Sequence, residues 1–163
     1  MSKTAALELK NISKSFGSVV ANKNVDLTLY KGEILALLGE NGSGKTTLMN
    51  MIAGIYYPDE GQIFVDGKEA VISSPKDAFG YGIGMIHQHF KLVDVFSASE
   101  NIILGVKDGR KFNIKNVNAT VGEICRKYGF NIDPKKKIYE MSVSEKQTVE
   151  IIKVIYRGAE ILI

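Results

Sequence analysis

The sequence has a single cysteine, no long apolar run and little net charge, and each shortage excludes a class of protein. Cys125 cannot form an internal disulfide, which suits a reducing compartment. No run of about eighteen apolar residues is present to span a bilayer, and residues 1–5 lack a signal-peptide core. With 21 basic and 18 acidic residues, the net charge of +3 is too small to indicate a nucleic-acid surface. We therefore expect a cytoplasmic protein whose membrane role would depend on a partner.

The pattern of apolar residues predicts a mixed α/β chain, and 163 residues suffice for one domain with a buried core. Residues 7–10 and 25–29 alternate between apolar and polar side chains, as strands with one wet face do. Residues 34–38 are all apolar, which predicts a parallel strand buried on both faces. Residues 62–65 predict a further strand that leads into a hairpin.

A glycine-rich stretch follows the predicted buried strand, and a helix is predicted after it over residues 46–53. The stretch matches the phosphate-binding pattern G-x-x-x-x-G-K-S/T at every position. Its residues are Gly39, Glu40, Asn41, Gly42, Ser43, Gly44, Lys45, Thr46 and Thr47. Glycines let backbone N–H groups approach phosphate oxygens, and a helix start adds unpaired N–H groups and a positive dipole end. In this pattern the lysine reaches the outer phosphates and the hydroxyl after it is placed to ligate Mg²⁺. We favour a nucleotide site over a chance glycine-rich turn.

Two capping boxes predict helix starts in the second half of the chain. They pair Ser97 with Glu100 and Ser142 with Glu145. The second begins a helix that reaches about Tyr156 and is apolar on more than one side, which predicts that this helix is buried.

Between the two capping boxes we predict a loop over 106–118 and an amphipathic helix over 119–128, with Cys125 on its apolar face. Residues 95–140 are thus mainly helical between strand-rich flanks, which indicates an inserted helical lobe. Residues 160–163 begin an apolar strand. Because a core strand is an improbable natural end, we expect the sequence to have been cut there.

Two features imitate catalytic or metal-binding groups. Asp66 follows an apolar strand, as a magnesium-binding acid does, but the glycine after it makes a hairpin turn the better interpretation. His87 and His89 would share one face of a strand predicted over 83–89, which is compatible with a metal pair. Since no third ligand is near in sequence, we favour two polar residues at a strand end.

The order of these motifs resembles the ATP-binding subunit of an ABC transporter across essentially all 163 residues. The resemblance rests on the glycine-rich stretch, Gln88, Glu100-Asn101 and the segment 142–147. It implies an α/β P-loop NTPase fold with an N-terminal antiparallel β subdomain and an inserted helical subdomain, incomplete at the C-terminus. The corresponding parts would be a β and phosphate-loop core over 1–90, a helical subdomain over 91–145 and a return to the core over 146–163.

The resemblance also assigns roles to residues. The stretch from Gly39 to Thr47 matches the ATP-binding loop. Phe16 matches the aromatic residue that stacks on adenine, although a core phenylalanine at a strand end would look the same. Lys45 and Gln88 match catalytic residues, and Thr46 and Gln88 match the groups that contact Mg²⁺.

The segment 142–147 departs from the family's usual Leu-Ser-Gly-Gly-Gln signature. In the family this signature binds the γ-phosphate on the opposite subunit of a head-to-tail dimer, where glycine allows close backbone approach. Ser142 and Ser144 fall at the binding positions. However, Val143 and Ser144 replace glycines and Glu145 replaces glutamine, changes that can weaken the contact.

The resemblance implies ATP and Mg²⁺ as cofactors and a subunit that couples ATP to solute import. Residues 87–93 and 142–157 resemble importers of simple sugars or nucleosides. The implied partners are transmembrane permease subunits, a second nucleotide-binding domain and, indirectly, a solute-binding protein, with no nucleic acid expected. Such a subunit lies at the inner face of the cell membrane through its permease. The family's Asp-Glu pair would follow Ile163, so we expect this stretch alone to be inactive in hydrolysis.

Three other functions remain open or are disfavoured. A regulatory module that binds ATP without hydrolysing it is compatible with the altered signature. A soluble ABC protein acting on ribosomes or DNA is disfavoured by the small net charge. A GTPase is disfavoured because residues 22–25, Asn-Lys-Asn-Val, have valine where the guanine-binding aspartate is required.

Overall fold

The computed structural model describes residues 4–87, 90–106 and 113–163. These residues belong to two compact units, one running to Ile83 and including Ile163, the other comprising Gly84–Leu162. The elements in chain order are β1 Ala5–Phe16, β2 Val19–Tyr30, α1 Lys45–Ile52, β3 Glu60–Val65, β4 Lys68–Glu69, α2 Pro75–Gly80, β5 Ile83–Gly84, α3 Ala98–Ile103, α4 Ile114–Tyr128, a 3₁₀ turn Ile138–Glu140, α5 Val143–Tyr156 and β6 Ile161–Leu162.

The first unit is built on a four-stranded antiparallel sheet in the order β2-β1-β3-β4. In the central strand β1, Leu9 lies opposite Leu27 of β2 and Ile63 of β3, and it is almost fully buried. Alternate residues of β1 point toward this apolar side because side chains along a strand alternate between its faces. The strands predicted at 7–10, 25–29 and 62–65 are therefore confirmed.

The hairpin between β3 and β4 turns at Asp66 and Gly67, whose φ angles are 50° and 75°. Two consecutive positive φ angles are typical of the tight hairpin turn that the Asp-Gly pair favours. The Asp66 carboxylate forms an ion pair with Lys31 Nζ at 2.8 Å. Asp66 is thus a turn residue, as predicted.

Helix α1 buries Leu48, Met51 and Ile52 on one side. Gly54, with φ at 73°, follows the helix in the left-handed conformation, and a Cβ there would overlap the backbone of Ser74. Glycine has no Cβ and so adopts this conformation without strain. The helix predicted over 46–53 is confirmed.

In the second unit the helices share one apolar core. Its buried members are Ala98, Ile102, Val117, Val121, Cys125, Ile132, Ile138, Met141, Val149 and Ile152. Both predicted capping boxes form, at the starts of α3 and α5. Along the described segments, no helix is long and apolar enough to cross a bilayer.

The buried parallel strand predicted over 34–38 is wrong in this structure. These residues have no regular structure, and Ile34 and Leu38 are 98% and 89% exposed. A parallel strand exists only when neighbouring strands accept and donate its backbone hydrogen bonds. No such partner occurs among residues 4–87, 90–106 and 113–163, where the two sheets contain only the strands named above.

Two element boundaries also differ from prediction. Of the strand predicted over 83–89, only β5 is present among residues 83–87, and residues 88 and 89 lie outside the described part of the chain. The loop predicted over 106–118 is wrong from Ile114 onward, where α4 has already begun. The Asn113 side chain accepts a hydrogen bond from Lys115 N at 3.0 Å and so caps this helix one turn earlier than its apolar pattern indicated.

Candidate functional site

The glycine-rich stretch forms a loop that leads directly into α1. Gly42 and Gly44 have φ angles of 85° and 84°, in the left-handed region that glycine adopts without strain. Gly44 is the N-cap of α1, and no side chain caps this helix. The backbone N–H groups of the first turn therefore remain available as donors for an anion.

Two residues of strand β2, Ala21 and Asn22, contact the loop at Gly44. A Cβ on Gly44 would overlap the carbonyl oxygen of Ala21, so the close approach of loop and strand requires glycine. The buried Asn22 donates from Nδ2 to Gly44 O at 3.4 Å, and its Oδ1 has no hydrogen-bond partner in the described part of the chain. Sequence reasoning considered Asn22 only in the guanine-binding motif and missed this contact, which no local sequence signal reveals.

The Lys45 ammonium lies within the loop. It donates to the carbonyl oxygens of Gly39 and Glu40, both at 2.8 Å, and to Ser43 Oγ at 3.2 Å. A Cβ on Gly39 would come within 2.8 Å of Ser43 Oγ, so a larger residue there would have to displace the serine hydroxyl from Lys45. One positive charge is thus held at an uncapped helix N-terminus, where both charge and dipole attract anions.

Two further features of this site favour an anion: its side chains are accessible, and helix α1 adds no negative charge. The first turn of α1 contains no acidic residue. Asn41 and Thr46 are exposed and Thr47 is half-buried. The hydroxyl of Thr46 fits one ligand of a hard cation such as Mg²⁺.

Gln88, the other predicted Mg²⁺ contact, lies outside the described residues, as does His89. Within the described ranges, no three His, Cys, Asp or Glu side chains form a group that could hold a metal ion. Burial, and next the positive charge of Lys91, lower the pKa of His87.

Phe16 ends β1 and pairs with Val19 across the hairpin. The residue is 43% exposed, which is not the burial of a core phenylalanine. The ring of Tyr56 meets it edge to face, with centroids 5.1 Å apart and planes at 70°. Phe16 therefore presents aromatic surface to solvent in the same unit as the loop.

The predicted signature residues lie at the start of α5, in the second unit. Ser142 is the N-cap, and its N–H donates to Glu145 Oε2 at 2.8 Å while its Oγ accepts from Glu145 N at 3.3 Å. The other carboxylate oxygen of Glu145 contacts Lys136 Nζ at 2.6 Å. The hydrogen bond from Lys136, followed by that from Ser142 N, lowers the pKa of Glu145 to about 2. Ser144 is exposed, and its carbonyl accepts from Thr148 Oγ1 at 2.9 Å.

Two buried polar residues of the second unit bind backbone groups of a neighbouring segment, a role that the sequence did not lead us to predict. Glu150 is 2% exposed, accepts from Lys91 N at 2.7 Å and pairs with Lys153 Nζ at 2.9 Å. Asn101 binds Val93 through both its amide oxygen and nitrogen, at 2.7 and 3.0 Å. Both side chains tie the segment after residue 90 to the helices. The lone acid within the apolar face of α5 was the available signal for Glu150.

The ABC transporter family profile matches residues 22–163 of this chain. The chain is 47% identical over its full length to the nucleoside import ATP-binding protein NupA of Lactococcus lactis subsp. cremoris MG1363, covering 33% of that protein. It is 50% identical over 96% of its length to the guanosine import ATP-binding protein NupO of Bacillus subtilis 168, covering 31% of that protein. The chain thus spans about a third of the length of these curated relatives.

Solved structures agree in fold. An ATP-binding cassette of an ABC transporter in its ADP conformation superposes with a TM-score of 0.84 at 25% identity, over 97% of this chain and 67% of the other. A nucleotide-free cassette from an ABC transporter gives a TM-score of 0.83 at 24% identity, with the same coverage of both chains. The chain therefore belongs to the ABC transporter family and has the P-loop NTPase fold of its ATP-binding cassettes.

Proposed function

We propose that this chain is the ATP-binding part of an ABC importer subunit that couples ATP hydrolysis to uptake of a sugar or nucleoside. The observation that carries the proposal is the uncapped N-terminus of α1, with Lys45 held in the loop before it. The solute class follows from relatives named for nucleoside, guanosine and ribose import.

In this proposal the backbone N–H groups from Gly42 to Thr47 bind the phosphates of ATP. Lys45 exchanges the carbonyl oxygens of Gly39 and Glu40 for phosphate oxygens, which are stronger acceptors because they are charged. Glu40, Asn41 and Ser43 shape the loop around them. Thr46 and Gln88 contact Mg²⁺, which neutralises phosphate charge when bound, and Phe16 stacks on the base.

The partners follow from the same assignment. A second nucleotide-binding domain would face this one head to tail, with Ser142 and Ser144 directed at its nucleotide. Transmembrane permease subunits would hold the ATPase at the inner membrane face, and a solute-binding protein would act indirectly. The core over 1–90, the helical subdomain over 91–145 and the return over 146–163 are the parts we propose for the domain.

Calorimetry with ATP and Mg²⁺ tests the nucleotide site. We expect the chain to bind ATP and Lys45→Ala to lower the affinity about tenfold or more, since a hydrogen bond to a charged group is lost. Lys76→Ala, which removes an exposed lysine of α2, is the matched control and should bind as the unmutated chain does. Equal affinity of the Lys45→Ala variant would refute the site.

A regulatory module that binds ATP and barely hydrolyses it is the second candidate. It is favoured by the carboxylate of Glu145, which already occupies the N-terminus of α5 where the family binds a phosphate. Steady-state phosphate release by the complete importer subunit separates the two candidates. Turnover that depends on Lys45 supports the coupling ATPase, whereas ATP binding without turnover supports the regulatory module.

A further inference from the structure

Tyr56 and Phe16 form a pair of partly exposed rings at the end of the β1–β2 hairpin. Their exposed fractions are 38% and 43%, and their planes meet at 70°. Edge-to-face contacts of this kind contribute beyond simple burial and restrict the orientation of both rings. Tyr56 therefore limits the directions in which the Phe16 ring can face.

Tyr56 is itself fixed to the helix that follows the phosphate loop. Its N–H and that of Ile55 donate to Asn50 O, at 3.2 and 2.8 Å. These bonds close the C-terminal end of α1, so the tyrosine is connected through one rigid helix to the N–H groups at the other end.

Asp59 holds the backbone that leads to Phe16. Its carboxylate contacts Lys14 Nζ at 2.6 Å and accepts from Ser15 N at 2.8 Å, and its own N–H donates to Ser13 O at 2.9 Å. The hydrogen bond from Lys14, then that from Ser15, lowers the pKa of Asp59, so the carboxylate stays ionised at neutral pH. The three residues before Phe16 are thus all bound to Asp59.

The aromatic pair lies at the loop end of the hairpin. Phe16 pairs with Val19, and Ala21, two residues further along β2, meets Gly44 of the phosphate loop. Two residues of a strand span about 7 Å. A ligand held by its phosphates on the loop therefore has an aromatic surface within reach of its other end.

We propose that Tyr56 and Asp59 are positioning residues for the nucleotide base: they hold the Phe16 ring so that its exposed face stacks on the base. The inference rests on the proposed nucleotide site and adds two residues on the turn after α1 to it. Tyr56 restrains the ring directly, and Asp59 restrains the backbone that carries it.

Calorimetric titration with two ligands separates the base from the phosphates. Mg-ATP has both groups, whereas inorganic tripolyphosphate with Mg²⁺ has only the phosphates. We expect Tyr56→Leu to weaken ATP binding about three- to tenfold, the range that loss of an aromatic contact supports, and to leave tripolyphosphate binding unchanged. Tyr56→Phe keeps the ring and should restore ATP binding. Asp59→Asn should give a smaller loss, again for ATP alone.

Tyr57→Leu is the matched control, because Tyr57 is the adjacent exposed tyrosine. Since the sequence contains no tryptophan, Phe16→Trp supplies one fluorophore at the proposed stacking position. ATP should quench its emission, tripolyphosphate should not, and adding Tyr56→Leu should reduce the quenching at saturating ATP.

Equal ATP affinities for Tyr56→Leu and Tyr57→Leu would overturn the inference, as would an equal loss for both ligands, which indicates a purely structural role. If the unmutated chain binds tripolyphosphate, and Tyr56→Leu and Tyr56→Phe bind ATP equally well, the proposed nucleotide site stands and only the positioning role fails. If it binds neither ligand, the proposed nucleotide site fails and the positioning role with it.

Discussion

Helices α1 and α5 begin in opposite ways, although the resemblance to the family predicts a phosphate site at the N-terminus of each. The N-cap of α1 is Gly44, which offers no side-chain acceptor, and the N-cap of α5 is Ser142, which completes a capping box. Three residues after each cap stand Thr47 in α1 and Glu145 in α5. One helix thus leaves its first N–H groups unpaired. In the other, the Ser142 hydroxyl accepts from Glu145 N and the Glu145 carboxylate accepts from Ser142 N.

The difference shows that a helix N-terminus alone does not make an anion site. The dipole is similar in both helices, but a carboxylate at α5, itself paired with Lys136, already supplies the negative charge that a phosphate would bring. In α1 the added charge is the positive one of Lys45. The cap and the third residue after it decide whether a ligand or the chain itself satisfies the donors.

The largest expected effect comes from removing the glycine cap of α1. In Gly44→Ala the new Cβ would overlap Ala21 O at a left-handed φ of 84°, so we expect about 3 kcal/mol or more of lost unfolding free energy. Gly42→Ala has a similar φ of 85° but meets no atom within 4 Å, and should cost about 1 kcal/mol. Urea unfolding followed by circular dichroism measures both. Equal costs would show that backbone strain alone, not contact with β2, requires glycine at the cap.

The second prediction adds an acidic residue to the first turn of α1, where α5 has Glu145. Thr47→Glu places a carboxylate near the proposed phosphates, and we expect about tenfold weaker ATP binding from like-charge repulsion. The same charge favours the helix dipole and should stabilise the fold by about 0.5 kcal/mol. Calorimetry and urea unfolding give the two quantities.

Thr47→Gln is the matched control, since it has the same shape as glutamate without the charge. It should bind ATP more tightly than Thr47→Glu does. If the two variants bind equally, the absence of an acid from the first turn has no part in anion binding.

The smallest effect concerns pH and α5. The pKa of Glu145 is about 2 in the folded chain against an ordinary value of 4.5. A lowered folded-state pKa means that the carboxylate stabilises the fold above about pH 4.5, and this contribution is lost as pH falls from there toward 2. Glu145→Gln keeps the capping acceptor but not the charge, so its urea midpoint should approach that of the unmutated chain as pH falls.

The measurement compares urea midpoints of the two chains between about pH 5.5 and pH 2.5. Glu123→Gln, on the exposed side of α4, serves as the control for general charge effects. A difference that stays constant over this range would mean that the Glu145 carboxylate is not stabilised in the fold.

Short sequence patterns correctly predicted the elements whose structure depends on residues close together in the chain. The alternation of 7–10 predicted β1, the Asp66-Gly67 pair predicted a hairpin, and two capping boxes predicted the starts of α3 and α5. Prediction failed at residues 34–38, because an apolar run becomes a strand only beside a partner strand. Helix α4 begins at Ile114, earlier than predicted, because the Asn113 cap extends the helix beyond its apolar pattern.

The amino-acid sequence by itself determined the glycine-rich loop, the lysine in it and the helix after it, because these depend on glycine conformations and on residues close in the chain. Only the tertiary structure decided that Asn22 and Ala21 hold the loop, that Glu150 binds Lys91, and that Tyr56 and Asp59 restrain the segment ending at Phe16. Those contacts join residues far apart in sequence. No local pattern encodes such a contact, since it exists only once separate elements have packed together.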